Sequence, residues 1–444
     1  MLLFIHTEYL HIQTIQMKKS VIKIAFNGYE KWVILLLTLT QFTVILDFMI
    51  MSPLGDMIMK TLKLSTKEFG LCVSAYAFSA GISGLLTAGF ADKYDRKKLL
   101  LFFYSGFILG TFCCAWSHTY VQLLAARTIT GLFGGVIGSV SMAIVTDLFT
   151  LQQRGRVMGF VQMGFGASQV LGLPIGLAMA NVWGWDSPFL LAAIIAVVVF
   201  VLVVFKMKPV NEHLKTAKQE KTALRHLLHT FSEKQYRIGF LATALMSIGG
   251  FMMMPFGSAF AINNLHITTE QLPVVYTVSG ISSLIFMPLV GKYSDKIDKL
   301  KLFSIATIWT LVFIVIYTNL SVTPLWIVLV INVLMMMGVM SRMIPSTALV
   351  SGLPNPNDRG AFMSINASLQ QIAGGVAAAL GGMVVVQQTK TSPLEHYNWV
   401  GYITVVISIV NVLMLGRVNK AVMSKKKDNA TNDNNVDVAG HEMI

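Results

Sequence analysis

The sequence predicts an all-α membrane protein, with about twelve spanning helices in two pseudo-symmetric six-helix bundles. Three observations lead there. Of 444 residues, 55% are hydrophobic and 12% charged, with a mean hydropathy of +0.66; soluble domains carry about 25% charged residues. Long apolar runs alternate with short loops rich in Lys and Arg, the pattern of loops retained on the cytoplasmic side. The second half also repeats the first. Ser294-Asp295-Lys296-Ile297-Asp298-Lys299 matches Ala91-Asp92-Lys93-Tyr94-Asp95-Arg96 at an offset of 203, and Asp358-Arg359-Gly360 matches Gln153-Arg154-Gly155 at 205. Internal repeats of this kind mark transporters built from two related halves.

The expected organisation follows in chain order. Residues 1–31 form a cytoplasmic N-terminal segment, 32–205 a first bundle, 206–237 a cytoplasmic central loop, 238–415 a second bundle, and 416–444 a disordered cytoplasmic tail. Met17-Lys18-Lys19-Ser20 reads as a natural start, so residues 1–16 are expected to be an upstream extension of the reading frame. No small-residue cleavage site follows a short apolar core, which argues against a cleaved signal peptide. In the central loop, Leu224, Leu227, Leu228 and Phe231 share one helical face beside Lys221, Arg225 and Lys234. That spacing predicts a basic amphipathic segment on the inner leaflet.

The net charge of +13 does not imply nucleic acid, because the cations fall in short loops, the central loop and the tails. Cys72, Cys113 and Cys114 lie inside apolar segments without metal-ligand spacing and read as buried structural thiols. No G-x-x-x-x-G-K-[ST] loop is present, so ATP drive within this chain is not expected. Neither sequence nor composition calls for a cofactor or a metal.

The chain turns on one stretch, Gly89-Phe90-Ala91-Asp92-Lys93-Tyr94-Asp95-Arg96-Lys97-Lys98, a charged hairpin between the apolar runs 69–88 and 99–116. It resembles the signature loop of the major facilitator superfamily, G-x-x-x-D-[RK]-x-G-[RK]-[RK]. Asp92, Lys93, Arg96 and Lys97 fall in register. Gly89 comes one residue late, and Asp95 stands where that family has its second Gly. The resemblance implies a cytoplasmic gate formed by Gly89, Asp92, Lys93, Arg96 and Lys97, with Asp295 in the second half. The same charge run also fits a topology signal alone. A helix-terminal acid contributes on the order of a kcal/mol or less when exposed, a size suited to a latch that opens every cycle.

Further motifs extend the resemblance over residues 32–415. The first span, from about 32 to 54, carries one ionisable residue, Asp47, in Ile45-Leu46-Asp47 with Pro53-Leu54 after it. These are similar to the first-helix motif of drug–proton antiporters. An acid within a span costs at least ~2.5 kcal/mol on insertion scales, which makes it a functional candidate. Arg127-Thr128-Ile129-Thr130-Gly131 in the fourth span, 120–148, resembles the superfamily's R-x-x-x-G motif. Asp47 lies about 22 Å above the inner end of its helix and Arg127 about 10 Å below the outer end of its own. In a core of ~30 Å the two share a depth. We expect them to pair, as a proton-coupling device or as a static salt bridge.

Leu171-Gly172-Leu173-Pro174-Ile175-Gly176 resembles the antiporter motif G-P-x-x-G-G, and with Trp183-Gly184-Trp185 it looks most like the sugar-efflux and drug-efflux branches. Gly131, Gly135, Gly172, Pro174 and Gly176 are expected at helix-packing contacts. Polar residues inside spans tend to face a cavity, which nominates Gln41, Gln162, Gln169, Tyr276, Asn332, Asn366 and Gln370; helix–helix hydrogen bonding is the alternative for each. The clusters Met246, Met252–Met254, Met335–Met337 and Met340 fit an adaptable cavity wall or lipid-facing filler.

Together these features imply a secondary active transporter, not an enzyme, coupled to protons and exporting a small organic molecule, either drug-like or a sugar. Uptake by symport is the alternative among transporters. A different class, a membrane-embedded Mg²⁺-dependent prenyl transferase, would use Asp92-x-x-Asp95 and Asp295-x-x-Asp298 against a diphosphate. A sensor that transports nothing lacks an output domain in this sequence. The expected partners are a small-molecule substrate, protons and the lipid bilayer, with no nucleic acid, and the chain is expected to act as a monomer. The expected location is the cell membrane, multi-pass with both termini cytoplasmic, which means the inner membrane in a Gram-negative bacterium.

Overall fold

The computed structural model describes residues 26–441 other than 89, 217–222, 295 and 356–357, and the backbone alone at 88, 92, 151, 215–216, 223–225 and 426–441. The expectation for residues 1–16 therefore lies outside the described residues. Within them, twelve helices are long and apolar enough to span a bilayer. The first six are α1 (Gly28–Ile50), α2 (Thr66–Thr87), α3 (Arg96–Ala115), α4 (Tyr120–Leu148), α5 (Gln152–Trp183) and α6 (Ser187–Lys206). The second six are α7 (Lys234–Asn263), α8 (Leu272–Ser294), α9 (Lys299–Thr318), α10 (Leu325–Val350), α11 (Arg359–Val384) and α12 (Tyr397–Lys425).

Local chemistry sets the helix ends. Asn27 and Glu30 cap α1 reciprocally. Asp95 accepts from the backbone N–H groups of Lys97 (2.8 Å) and Lys98 (3.1 Å) and starts α3. Asp298 accepts from Lys301 N–H at 2.8 Å and starts α9. The repeated acids of the two halves thus do the same work, satisfying helix N-termini.

Two boundaries differ from expectation. α1 begins at Gly28 and ends at Ile50, and a separate helix, Gly55–Leu62, follows Pro53. The last helix does not stop at 415: its backbone continues to His441. Val418 is buried beside Leu415, and Lys425 Nζ donates to Leu353 O at 3.0 Å. The extension is anchored by contacts that composition does not reveal. The central segment forms a helix, Ala223–Ser232. Leu227 is buried against the second bundle, and Phe231 stacks on Phe240 with centroids 6.0 Å apart.

Small residues allow the closest crossings. A Cβ at Gly131 would meet Tyr76 O at 2.3 Å, and one at Gly135 would meet Ala80 Cα at 2.5 Å, which locks α4 onto α2. α2 also crosses α11 along most of its length. Gly70 lies against Ala378 O and Gly382, Ser74 Oγ donates to Gly375 O at 2.8 Å, and Gly81 lies against Ser368 O. This crossing joins the bundles.

The loops define two faces. One, here the basic face, carries the hairpins of α2–α3 and α8–α9. The opposite face is not free of cations, because the first connection places Lys60, Lys63 and Lys67 there. Hydrogen bonds between bundles gather at that opposite face. Asn263 Nδ2 donates to Asp56 Oδ1 at 2.6 Å, Ser258 Oγ to Ser52 O at 2.8 Å, Thr66 Oγ1 to Val385 O at 2.6 Å and Lys390 Nζ to Lys60 O at 2.9 Å. Ser52 Oγ also bonds Met254 O. That face is closed.

Candidate functional site: a buried ion pair beside an apolar cavity

Arg127 Nη1 donates to Asp47 Oδ2 at 2.8 Å and lies 3.4 Å from Asp47 O. Neither residue is exposed. Gly131, one turn from Arg127 on α4, admits α2 closely enough for the Tyr76 ring to sit 4.6 Å from the guanidinium carbon. Both charges are removed from water, and their mutual attraction offsets the loss. The pairing is incomplete: Asp47 Oδ1 and Arg127 Nε have no hydrogen-bond partner among the described residues.

A cavity of about 360 Å³ lies between the bundles, walled by Met49, Ser52 and Pro53 of the first span and its continuation, and by α5, α7, α8, α9, α10 and Tyr397. Its size is that of a small-molecule site. Met49 is two residues from Asp47. Aromatic contacts connect pair and cavity: Tyr76 to Phe48 at 5.1 Å and Phe48 to Phe251, a lining residue, at 5.8 Å.

The nominated polar residues divide. Gln169, Tyr276 and Asn332 line the cavity. Gln41 does not; it lies beside Gly138 and Gly164, where α1, α4 and α5 meet. Gln162 and Gln370 are exposed and do not line it, and Asn366 is half-buried on α11. Depth matters as much as rotation: Gln162 and Gln169 are seven residues apart on nearly one face of α5, about 10 Å apart along its axis. Gln169 reaches the wall through a π turn, Ser168–Gly172, in which Leu173 N–H bonds back five residues to Ser168 O. Pro174 has no N–H to give the helix ladder, which favours such a break. Gly172 lies against Leu46, and Gly176 against Ile50 and Pro188.

Six of the eight clustered methionines, Met246, Met253, Met254, Met335, Met336 and Met340, line the cavity. The sequence reading missed Arg342, which lines the same wall. A signal existed: it is the lone charged residue in α10, the same criterion that singled out Asp47. One cysteine also departs from expectation. Cys72 and Cys114 are buried but Cys113 is exposed, because adjacent helical residues point about 100° apart.

At the basic face, Gly89 and Asp295 lie outside the described residues, as does the side chain of Asp92. Lys93 is exposed. Arg96 is buried and pairs with Asp147 of α4 at 3.1 Å, and its Nη1 donates to Ala91 O at 3.0 Å. Lys97 Nζ donates to Val204 O of α6 at 2.8 Å. The loop thus ties α3 to α4 and α6. Asp95 and Asp298 are committed to helix capping.

The sequence and the fold have parallels elsewhere. The family model of the Major Facilitator Superfamily matches residues 37–256 and 239–435. The chain belongs to the Major Facilitator Superfamily. An uncharacterised MFS-type transporter of Bacillus subtilis, YbcL, is 26% identical over 386 residues, 86% of this chain and 95% of that one. Multidrug resistance protein 2 of the same organism is 25% identical over 304 residues, covering 66% and 72%. A D-xylose–proton symporter superposes with a TM-score of 0.72 at 18% identity, over 87% of this chain and 97% of the other. Membership makes this chain a transporter of a small-molecule substrate and removes the transferase reading.

Proposed function

We propose that this transporter exports a small organic molecule, drug-like or sugar, in exchange for protons, by alternating access to the cavity between the bundles. The observation that carries the reading is the Asp47–Arg127 pair, buried two residues from the cavity wall and only half satisfied. A proton arriving at Asp47 would release Arg127, and a change in access would return the proton, so occupancy of the pair and orientation of the bundles are linked. The multidrug relative favours export. In this scheme the basic face is cytoplasmic, with both termini, and the chain is a monomer in the cell membrane. Gly89, Asp92, Lys93, Arg96, Lys97 and Asp295 form the cytoplasmic gate, and the clasp at Asp56 and Asn263 is its counterpart at the other face.

The test is transport into or out of proteoliposomes under an imposed pH gradient, with a panel of dyes, antibiotics and sugars. Substrate movement against the proton flow supports exchange. Movement with it establishes the uptake symporter instead, and flux indifferent to the gradient refutes proton coupling.

A further inference from the structure

Arg342 poses a physical problem that the pair at Asp47 does not. Its side chain is 6% exposed, it lines the cavity, and its guanidinium makes one described hydrogen bond, Nη2 to Ser408 Oγ at 3.2 Å. Nε has no partner among the described residues. The Phe303 ring lies 5.6 Å from the guanidinium carbon and adds a cation–π contact. Arg127 shows what a buried cation here ordinarily receives, a carboxylate at 2.8 Å. Arg342 cannot receive one from its own bundle: α7 through α12 contain no Asp or Glu. Nor does any acid line the cavity, so its wall carries a single, positive charge.

A buried guanidinium is costly without a counter-charge, and its planar fork matches oxyanions. We propose that Arg342 anchors the acidic head group of the transported molecule, an organic acid whose apolar body rests on the methionines and on Tyr276 and Tyr317. This deepens, and rests on, the transport reading above by giving the substrate class of the same cavity. A carboxylate and a phosphate ester share the chemistry.

The experiment is equilibrium binding by the full chain in nanodiscs, followed by thermal unfolding, with naphthoate, naphthyl phosphate and the neutral naphthamide as probes. At concentrations up to about 1 mM, at least one of the two anions should raise the unfolding temperature and the amide should not. Whichever anion acts identifies the head group. Arg342→Gln should weaken that binding at least ~10-fold, the usual scale for a charged hydrogen bond, and Arg342→Lys should retain part of it. Val339→Glu offers a second route with Arg342 intact. Val339 lines the cavity one turn away, so the new acid should occupy the cation and abolish anion binding. An equal response to the amide, an undiminished anion response in these variants, or no response to either anion overturns the proposal. Chloride reproducing the full shift would assign Arg342 to an inorganic ion and overturn it too. The measurement uses no pH gradient, so its failure is distinct from a failure of proton-driven flux.

Discussion

Arg127 donates to one oxygen of Asp47 at 2.8 Å and leaves the other, Oδ1, without a partner among the described residues. A salt bridge serving stability alone gains from filling every lone pair. An unfilled carboxylate oxygen is a place for a proton.

If Asp47 carries the coupling proton, Asp47→Asn should fold, lose gradient-driven transport and keep downhill movement. Loss of one partner from a buried pair typically costs ~3–5 kcal/mol. A static bridge predicts a different pattern: Arg127→Ala lowers the unfolding temperature, and Asp47→Asn with Arg127→Gln restores both stability and uphill flux. Separate measurement of uphill and downhill flux decides. Full uphill transport by Asp47→Asn alone would end the coupling hypothesis.

The clasp at the closed face should break in every transport cycle. With the three native cysteines replaced, Asp56→Cys and Asn263→Cys place thiols where side chains now bond at 2.6 Å. A short bifunctional thiol reagent should trap this closure and stop transport, with recovery when a cleavable linker is cut. Continued transport by the linked protein would show that the clasp need not open.

Gly135 is expected to tolerate no larger side chain. Its Cβ would fall 2.5 Å from Ala80 Cα, an atom of the backbone that cannot turn aside. Gly135→Val should destabilise by about 1–3 kcal/mol or more, the range for overpacking, whereas Gly159→Ala, with nothing within 4 Å, should be neutral. Detergent-solubilised unfolding temperatures compare the two.

A reporter active only outside the cytoplasm, fused after His118, should be active, and one fused after Lys208 inactive. The opposite result would invert the assignment of the basic face to the cytoplasm, which rests on loop charge that Lys60, Lys63 and Lys67 partly offset.

The sequence by itself determined the class of fold, because a bilayer demands long apolar helices and the repeated loops expose the two halves. It also placed Asp47 and Arg127 at one depth, since rise per residue is constant along a helix. Only the tertiary structure decided which side chains meet. Rotation and depth along each helix put Gln169, Tyr276 and Asn332 into the cavity wall and left Gln162 and Gln370 out of it. The end of α12 arose from contacts between segments far apart in the chain, such as Lys425 with Leu353, whereas the π turn before Pro174 and the capping duties of Asp95 and Asp298 are local arrangements that the hydropathy pattern does not register. Arg342 was visible as the lone charge of its span. Only the tertiary structure placed that charge in the cavity wall, with Ser408 as its one described hydrogen-bond partner.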